Sequence, residues 1–448
     1  MAQSTDDRLR VKDVRKFRLG KPSHDPFKGN HNEPGVWEWV KMCVLSIVLI
    51  PLRLLLFVLC LGLLNLYLWL CGLGHNLKYD GEDQVPQSLL SYTKPAVQFC
   101  SRALISFLGC YHVPVKGKPA DAHEVPIVVM NHISYYEAFF SLALGFVHIG
   151  KKDACQVLPF RLPATFTQII QVERDSKSSN QRSREKISTW LSKRNEKNFV
   201  QFACYPEGTT TTGEGLIRFK TGAFTPGLPV QPLVFKMSYT FFDPSHTFDA
   251  KHWYLRLFCQ LVNFLEAEYL PPYYPNEEEK KNPKLFALNV REYMCSHSNL
   301  HLSEFSNHDV MLQYTAEKCG ADPSKFGVEW GMFDVNFGLH LQDARALVKH
   351  FAPIAQKHTG ALTRTLFKDV VSHGLQDAAP QLFDFFDQDG DGIISFRDFL
   401  WSACVLRQEC DVSFDQLTGK EDVHEHQIEE ATELVAENLK HQRTLGNL

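Results

Sequence analysis

The chain reads as an α/β domain preceded by an N-terminal membrane helix or helical hairpin and followed by an all-α domain. Three observations predict this. Short β-branched runs alternate with helical stretches over residues 110–240, the mark of a largely buried sheet. Residues 42–74 are apolar and carry one full charge, Arg53. From residue 303 onward apolar residues recur at helical spacing.

The N-terminal part, residues 1–41, reads as a flexible basic arm with Arg8, Arg10, Lys12, Arg15, Lys16, Arg18, Lys21 and Lys28. The membrane segment follows over 42–74. Leu54 to Gly74 gives ~31 Å of helix, about one hydrocarbon thickness. A buried core helix is the alternative. A single crossing, with the arm held in the cytosol by its charge, puts the rest of the chain in the lumen. Pro51-Leu52-Arg53 instead favours a re-entrant hairpin that returns the chain to the cytosolic face.

The next domain spans 90–300, with its motif core at 110–240. Pro95 opens a helical pattern through Val97, Cys100, Leu104 and Phe107, set either in the membrane interface or in the core. Strands are expected at Val113–Val115, Val125–Met130, Phe199–Tyr205 and Val230–Val234. Helices are expected near 137–147 and 181–195. Residues 243–300 read as irregular, around Pro271-Pro272 and Glu277–Glu279. A helical domain over 303–410 and a polar tail over 411–448 complete the chain.

Composition excludes several classes. A net charge of −4 argues against nucleic acid. The twelve cysteines contain no Cys-x2-Cys pair, and no Asn-x-Ser/Thr acceptor occurs. Both fit domains in a reducing cytosol.

Asn131-His132 follows a strand, and Ser134-x-x-Glu137 has capping-box spacing, so His132 falls in a turn just before a helix. Glu137 then either reaches the imidazole, giving an oriented general base, or only caps the Ser134 backbone. Tyr205-Pro-Glu207-Gly208-Thr209 ends another strand and continues into a threonine-rich turn. Arg218 and Lys220 lie just beyond it. Such a turn either holds a phosphate or is a solvated loop.

The order Asn-His-x4-acid, Val172-Glu173-Arg174, Tyr-Pro-Glu-Gly-Thr with Phe219-Lys-x-Gly-Ala-Phe224, then Val230-Gln-Pro232 resembles the glycerolipid acyltransferases of PlsC type. With the flanking segments, the whole chain resembles the lysophosphatidylcholine acyltransferases that carry EF-hands. The resemblance implies that His132 takes the proton of a lysophospholipid hydroxyl, oriented by Glu137. That hydroxyl attacks the acyl-CoA thioester directly. It also implies that Arg174, Glu207, Gly208, Thr209 and Lys220 bind the acceptor, and that Pro232 shapes the acyl-CoA side. The family usually carries aspartate where Glu137 stands and phenylalanine where Tyr205 stands.

Residues 387–398 carry the calcium-loop pattern of an EF-hand, with Asp387, Asp389 and Asp391 at positions 1, 3 and 5. Gly392 supplies the turn, Ile393 a backbone carbonyl, and Ser395 position 9. Asp398 stands at position 12, where glutamate is preferred, so magnesium is the competing ion. A partner loop that binds nothing is expected at 358–369.

The expected activity is therefore a membrane-bound acyl-CoA:lysophospholipid acyltransferase of the endoplasmic reticulum, its catalytic domain on the cytosolic face. It needs no organic cofactor, takes calcium at one loop, and meets membrane lipids. Two alternatives remain: glycerol 3-phosphate or lysophosphatidic acid as acceptor, or an inactive calcium-binding adaptor.

Overall fold

The computed structural model describes residues 9–15, 17–20, 23–29, 33–79, 85–172, 177–240, 242–247, 252–356, 359–371 and 373–445. They form two compact units. One lies within Gly29–Leu302, and the other joins the N-terminal segment up to Lys28 with Ser303–Leu448.

The first unit begins with one long helix, α1 (Val36–Gly72), which continues through Pro51. The expected hairpin is not formed. Proline removes one helical hydrogen bond, but Leu-rich turns on both sides carry the helix past it. At ~1.5 Å per residue α1 is ~55 Å long, well beyond one hydrocarbon thickness. Arg53, Leu61, Leu64, Leu68 and Gly72 are buried along one face, and the remaining apolar side chains are largely exposed. Helix α2 (Gln87–Phe107) starts two turns before Pro95, which lies inside it rather than opening it.

A seven-stranded sheet follows: β1 (Val115–Lys116), β2 (Ile127–Met130), β3 (Val147–Lys151), β4 (Ile170–Val172), β5 (Phe202–Cys204), β7 (Val230–Met237) and β8 (Leu265–Tyr269). Their order is β1-β8-β7-β2-β5-β3-β4. Only the β7–β8 pair is antiparallel. Two further short strands, β6 (Gly215–Leu216) and β9 (His301–Leu302), pair with each other.

Strand β2 explains the layering. Val128 and Met130 face a core with Phe140, Phe235 and Trp253, while Ile127 and Val129 face one with Phe202, Phe286 and Met294. All four β2 residues are fully buried, as an unbroken apolar run in a parallel sheet requires. Helix α3 (Tyr136–Ala143) follows β2, and α4 (Lys177–Ser192) precedes β5.

Residues 243–300 are more regular than their prolines suggest. They hold α5 (Trp253–Cys259), β8 and α6 (Pro283–Ser298). Pro283 sits in the first turn of α6, where its missing N–H costs nothing.

The second unit contains α7 (Asn307–Lys318), α8 (Trp330–Phe337), α9 (Leu341–Phe351), α10 (Arg364–Val370), α11 (Ala379–Phe386), α12 (Phe396–Glu409) and α13 (Glu425–Leu445). Its core is aromatic, built on Phe326, Phe351, Phe386, Phe396, Phe399 and Trp401. Two expectations are corrected here. The segment at 411–448 is not merely a polar tail, because Ala431, Leu434 and Val435 of α13 are buried in this core. Nor does the arm lie free where it is described. Val14 and Leu19 are buried in the same core, and Val11 and Phe17 pack against it. Apolar residues interleaved with the basic ones give the arm a face to bury.

Candidate active site

Strands β2 and β5 are adjacent and parallel, with Val129 opposite Cys204. Their carboxyl ends therefore deliver His132 and the 205–209 turn to the same edge, the usual place for a site in an open parallel sheet. Asn131 fixes the exit of β2. Its side chain donates to the Phe235 carbonyl at 2.9 Å and accepts from the Phe235 N–H at 2.7 Å.

The His132 backbone is clamped on both sides. Its N–H donates to Glu207 Oε1 at 2.9 Å, and its carbonyl accepts from the Thr211 N–H at 2.8 Å. The imidazole Nδ1 lies 2.7 Å from Glu137 Oε1. The same oxygen accepts the Ile133 and Ser134 N–H groups at 2.9 and 2.8 Å. Pairing with the histidine and capping the backbone thus occur together.

The capping box is half formed. Glu137 takes the Ser134 N–H, but the N-cap of α3 is Tyr135, and Ser134 Oγ has no hydrogen-bond partner among the described residues. The His132 side chain is 18% exposed and that of Glu137 fully buried. The imidazole is thus reachable while the carboxyl group paired with it is shielded from water. With Nδ1–H given to Glu137, Nε2 is left to accept a proton.

Tyr205 stacks on His132, with ring centroids 4.3 Å apart and planes at 26°. Its hydroxyl lies 3.0 Å from Ser141 Oγ on α3, tying the turn to the helix that carries Glu137. Glu207 is fully buried, and burial pushes its carboxyl up to about 8. The His132 and Ile217 N–H groups and the charge of buried Arg291 pull the other way. Glu207 thus brackets the His132 backbone from the neighbouring strand end.

Gly208 takes φ +73°, and a Cβ there would stand 2.5 Å from Lys220 Nζ. The cation therefore lies directly over the Gly208 backbone. Thr209 is half-buried beside it. Pro232, in β7, is opposite Val129. Arg174 lies outside the described residues, just beyond the end of β4 at Val172.

Asn131 was legible beside the histidine, but the contacts made by Thr211, Ser141 and Arg291 were not. They come from distant segments brought together by strand order, which no local spacing announces.

In the second unit, oxygens of Asp387, Asp389 and Asp391 lie within 4.8 Å of one another in the loop between α11 and α12. Gly392, with φ +88°, makes the turn. Asp387 Oδ1 accepts the Gly390 and Asp391 N–H groups at 2.9 and 3.1 Å. Ser395 caps α12, and Asp398 accepts the Ser395 N–H at 3.2 Å. Ile394 and Leu362 exchange backbone hydrogen bonds at 2.9 Å, pairing this loop with an upstream one. Leu362 lies within the expected partner segment 358–369, of which His358 lies outside the described residues and Arg364 opens α10.

An oriented imidazole at the end of a parallel strand and a glycine turn covered by a lysine thus make one site at the sheet edge. A family model described as acyltransferase matches residues 112–236, which hold every element of it. Lysophosphatidylcholine acyltransferase 1 of Danio rerio is 30% identical over 378 residues, covering 82% of this chain and 71% of that one. Lysophospholipid acyltransferase LPEAT2 of Arabidopsis thaliana is 29% identical, covering 88% and 74%. Lysophosphatidylcholine acyltransferase 2B of Rattus norvegicus is 28% identical, covering 85% and 74%. The chain belongs to the lysophosphatidylcholine acyltransferase family, and it is an enzyme.

Proposed function

We propose that the protein transfers an acyl group from acyl-CoA to the free hydroxyl of a lysophospholipid. The 2.7 Å bond between His132 and buried Glu137 carries the reading. Nε2 of His132 removes the hydroxyl proton as the oxygen attacks the thioester carbonyl. The C–O bond forms, the C–S bond breaks, and the imidazolium returns the proton to the departing CoA sulfur. Glu137 stabilises the imidazolium throughout. Lys220 over the Gly208 turn supports an acceptor phosphate there, joined by Thr209; Arg174, which lies outside the described residues, is assigned to the same acceptor by the family resemblance alone.

The test is CoA release by detergent-solubilised protein across lysophospholipids, glycerol 3-phosphate and lysophosphatidic acid, with His132→Ala alongside. Turnover lost with His132→Ala and highest on a choline lysophospholipid supports the reading. Highest turnover on glycerol 3-phosphate moves the acceptor assignment. Equal turnover in the variant removes His132 from the chemistry.

The long apolar helix supports attachment to a membrane, in this reading that of the endoplasmic reticulum with the catalytic unit on the cytosolic face. Polar ties run along much of α1. Glu38 pairs with Arg256 at 2.9 Å, and Lys41 reaches Gln260 at 3.1 Å. Arg53 donates to the Phe258 carbonyl at 2.6 Å and Asn65 to the Pro159 carbonyl at 2.9 Å. A helix fastened along its side to the catalytic unit suits in-plane insertion, with both chain ends on one side. Terminal tags digested together in sealed microsomes are the expected result, and protection of one alone is the opposite one.

The acidic loop is read as an EF-hand site for calcium, with magnesium as competitor. Asp387, Asp389, Asp391, Ser395 and Asp398 side chains and the Ile393 carbonyl would hold the ion. The converging aspartate oxygens support this fit. Its role is regulatory or structural, and no step of acyl transfer involves it.

A further inference from the structure

The N-terminal segment touches the acidic loop at several of its twelve positions. Gln388, at position 2, accepts the Leu19 N–H at 3.3 Å and is itself held by the Phe385 carbonyl and Ser402. Arg397, at position 11, donates to the Gly20 carbonyl at 2.7 Å and pairs with Glu329. Glu329 Oε1 in turn accepts from Ser23 Oγ at 2.6 Å. Between these ties, Arg18 Nη1 lies 3.7 Å from where a Cβ on Gly390, position 4, would stand.

The rest of the segment is bound as a peptide ligand would be. Asn336 meets the Leu9 carbonyl and the Val11 N–H at 3.0 and 2.8 Å. Val14 and Leu19 are buried, and Phe17 packs against Trp401 with centroids 5.3 Å apart. Backbone bonds supply affinity and apolar anchors supply register, as in peptide recognition generally.

We propose that residues 9–28 are a built-in ligand of the calcium loop, with Arg18 set over its acidic positions, so that bound calcium and the docked segment oppose one another. This rests on the calcium reading of the loop. The guanidinium occupies part of the negative field that a divalent cation needs, and an ion pulling Asp387 and Asp389 inward shifts Gln388, which lies between them. By linkage, whatever the segment takes from calcium affinity, calcium takes from the segment.

The experiment uses the full chain in detergent micelles. Calcium is titrated calorimetrically into the protein, Arg18→Ala, Arg18→Lys and Asp389→Ala, and amide exchange of residues 9–28 is followed in chelator and in saturating calcium. Arg18→Ala is expected to bind calcium about fivefold more tightly, the low end of typical coupling. Arg18→Lys, which keeps the charge, stays close to the parent, and calcium speeds exchange of the Leu19 amide. Equal or weaker binding by Arg18→Ala, or a Leu19 amide indifferent to calcium, overturns the proposal while the calcium site stands. Absence of calcium heat in the parent overturns both, and loss of that heat in Asp389→Ala alone locates the ion in the loop.

Discussion

Glu137 Oε1 serves the His132 imidazole and the Ser134 backbone at once, at 2.7 and 2.8 Å. Glu137→Gln keeps an acceptor for the backbone but no longer holds the imidazole in one tautomer. Its kcat is expected to fall by roughly 10² to 10⁴ with little change in Tm. Glu137→Asp withdraws the carboxylate by one methylene and is expected to lose roughly tenfold in kcat. Steady-state rates beside thermal melts decide this. A Glu137→Gln enzyme at full rate would leave the carboxylate a cap and nothing else.

Glu207 predicts a pH dependence of stability. Its carboxyl titrates near 4.5 when unfolded and about 8 in the fold, because burial disfavours the charge. Between those values the folded state holds a proton that the unfolded state has released. Stability from this group is complete below about pH 4.5 and is lost as pH rises through 8. Asp309, raised to about 7 by its own burial, adds to the same slope, so the difference from Glu207→Gln isolates the effect. Melts from pH 5 to 8 are expected to converge on the variant at low pH and fall below it by a few kcal/mol at most near pH 8. Parallel curves would show Glu207 ionised throughout.

Much of this was legible because chemistry-bearing residues sit at strand ends. Val125–Met130 and Phe199–Cys204 announce buried strands, and the motifs follow directly. Where reading failed, long-range packing had overruled a local signal. Pro51 and Pro95 look like breaks, yet both lie inside helices whose apolar faces are held by neighbours. Charges along residues 8–28 look solvated, yet Val14 and Leu19 between them are buried. Strand β8 was missed although Leu265, Ala267 and Tyr269 alternate with Glu266 and Glu268 as a half-buried strand should, because the prolines and acids just beyond it mark the segment as a loop.

The stack of Tyr205 on His132 makes a separable contribution. Tyr205→Phe keeps the ring and loses the Ser141 bond, so kcat is expected to stay within about threefold. Tyr205→Leu loses the stack, worth about 0.5–1.5 kcal/mol, and kcat should fall up to roughly tenfold. Equal rates for the two variants would show that the ring does not hold the imidazole.

At Gly208 two costs coincide. A side chain at φ +73° costs about 1–2 kcal/mol, and its Cβ displaces the Lys220 ammonium. Gly208→Ala is expected to lower Tm and raise the acceptor KM together, whereas Lys220→Met raises KM alone. An unchanged KM in Lys220→Met would take the lysine out of acceptor binding.

Asp398 offers the sharpest test of the loop. It accepts the Ser395 N–H at 3.2 Å as the acidic member of a capping box, and burial pushes its carboxyl up to about 6. Glutamate is the usual residue at that box position and also the usual bidentate ligand at position 12 of an EF-hand loop. Asp398→Glu therefore keeps the cap while adding the methylene needed to reach an ion with both oxygens. Calcium affinity is expected to rise roughly tenfold, about 1.4 kcal/mol, while magnesium, which prefers six-coordinate geometry, gains little. Calorimetry with each ion separates the outcomes. A variant that binds both ions as the parent does would place Asp398 outside the coordination sphere and leave it to the helix alone.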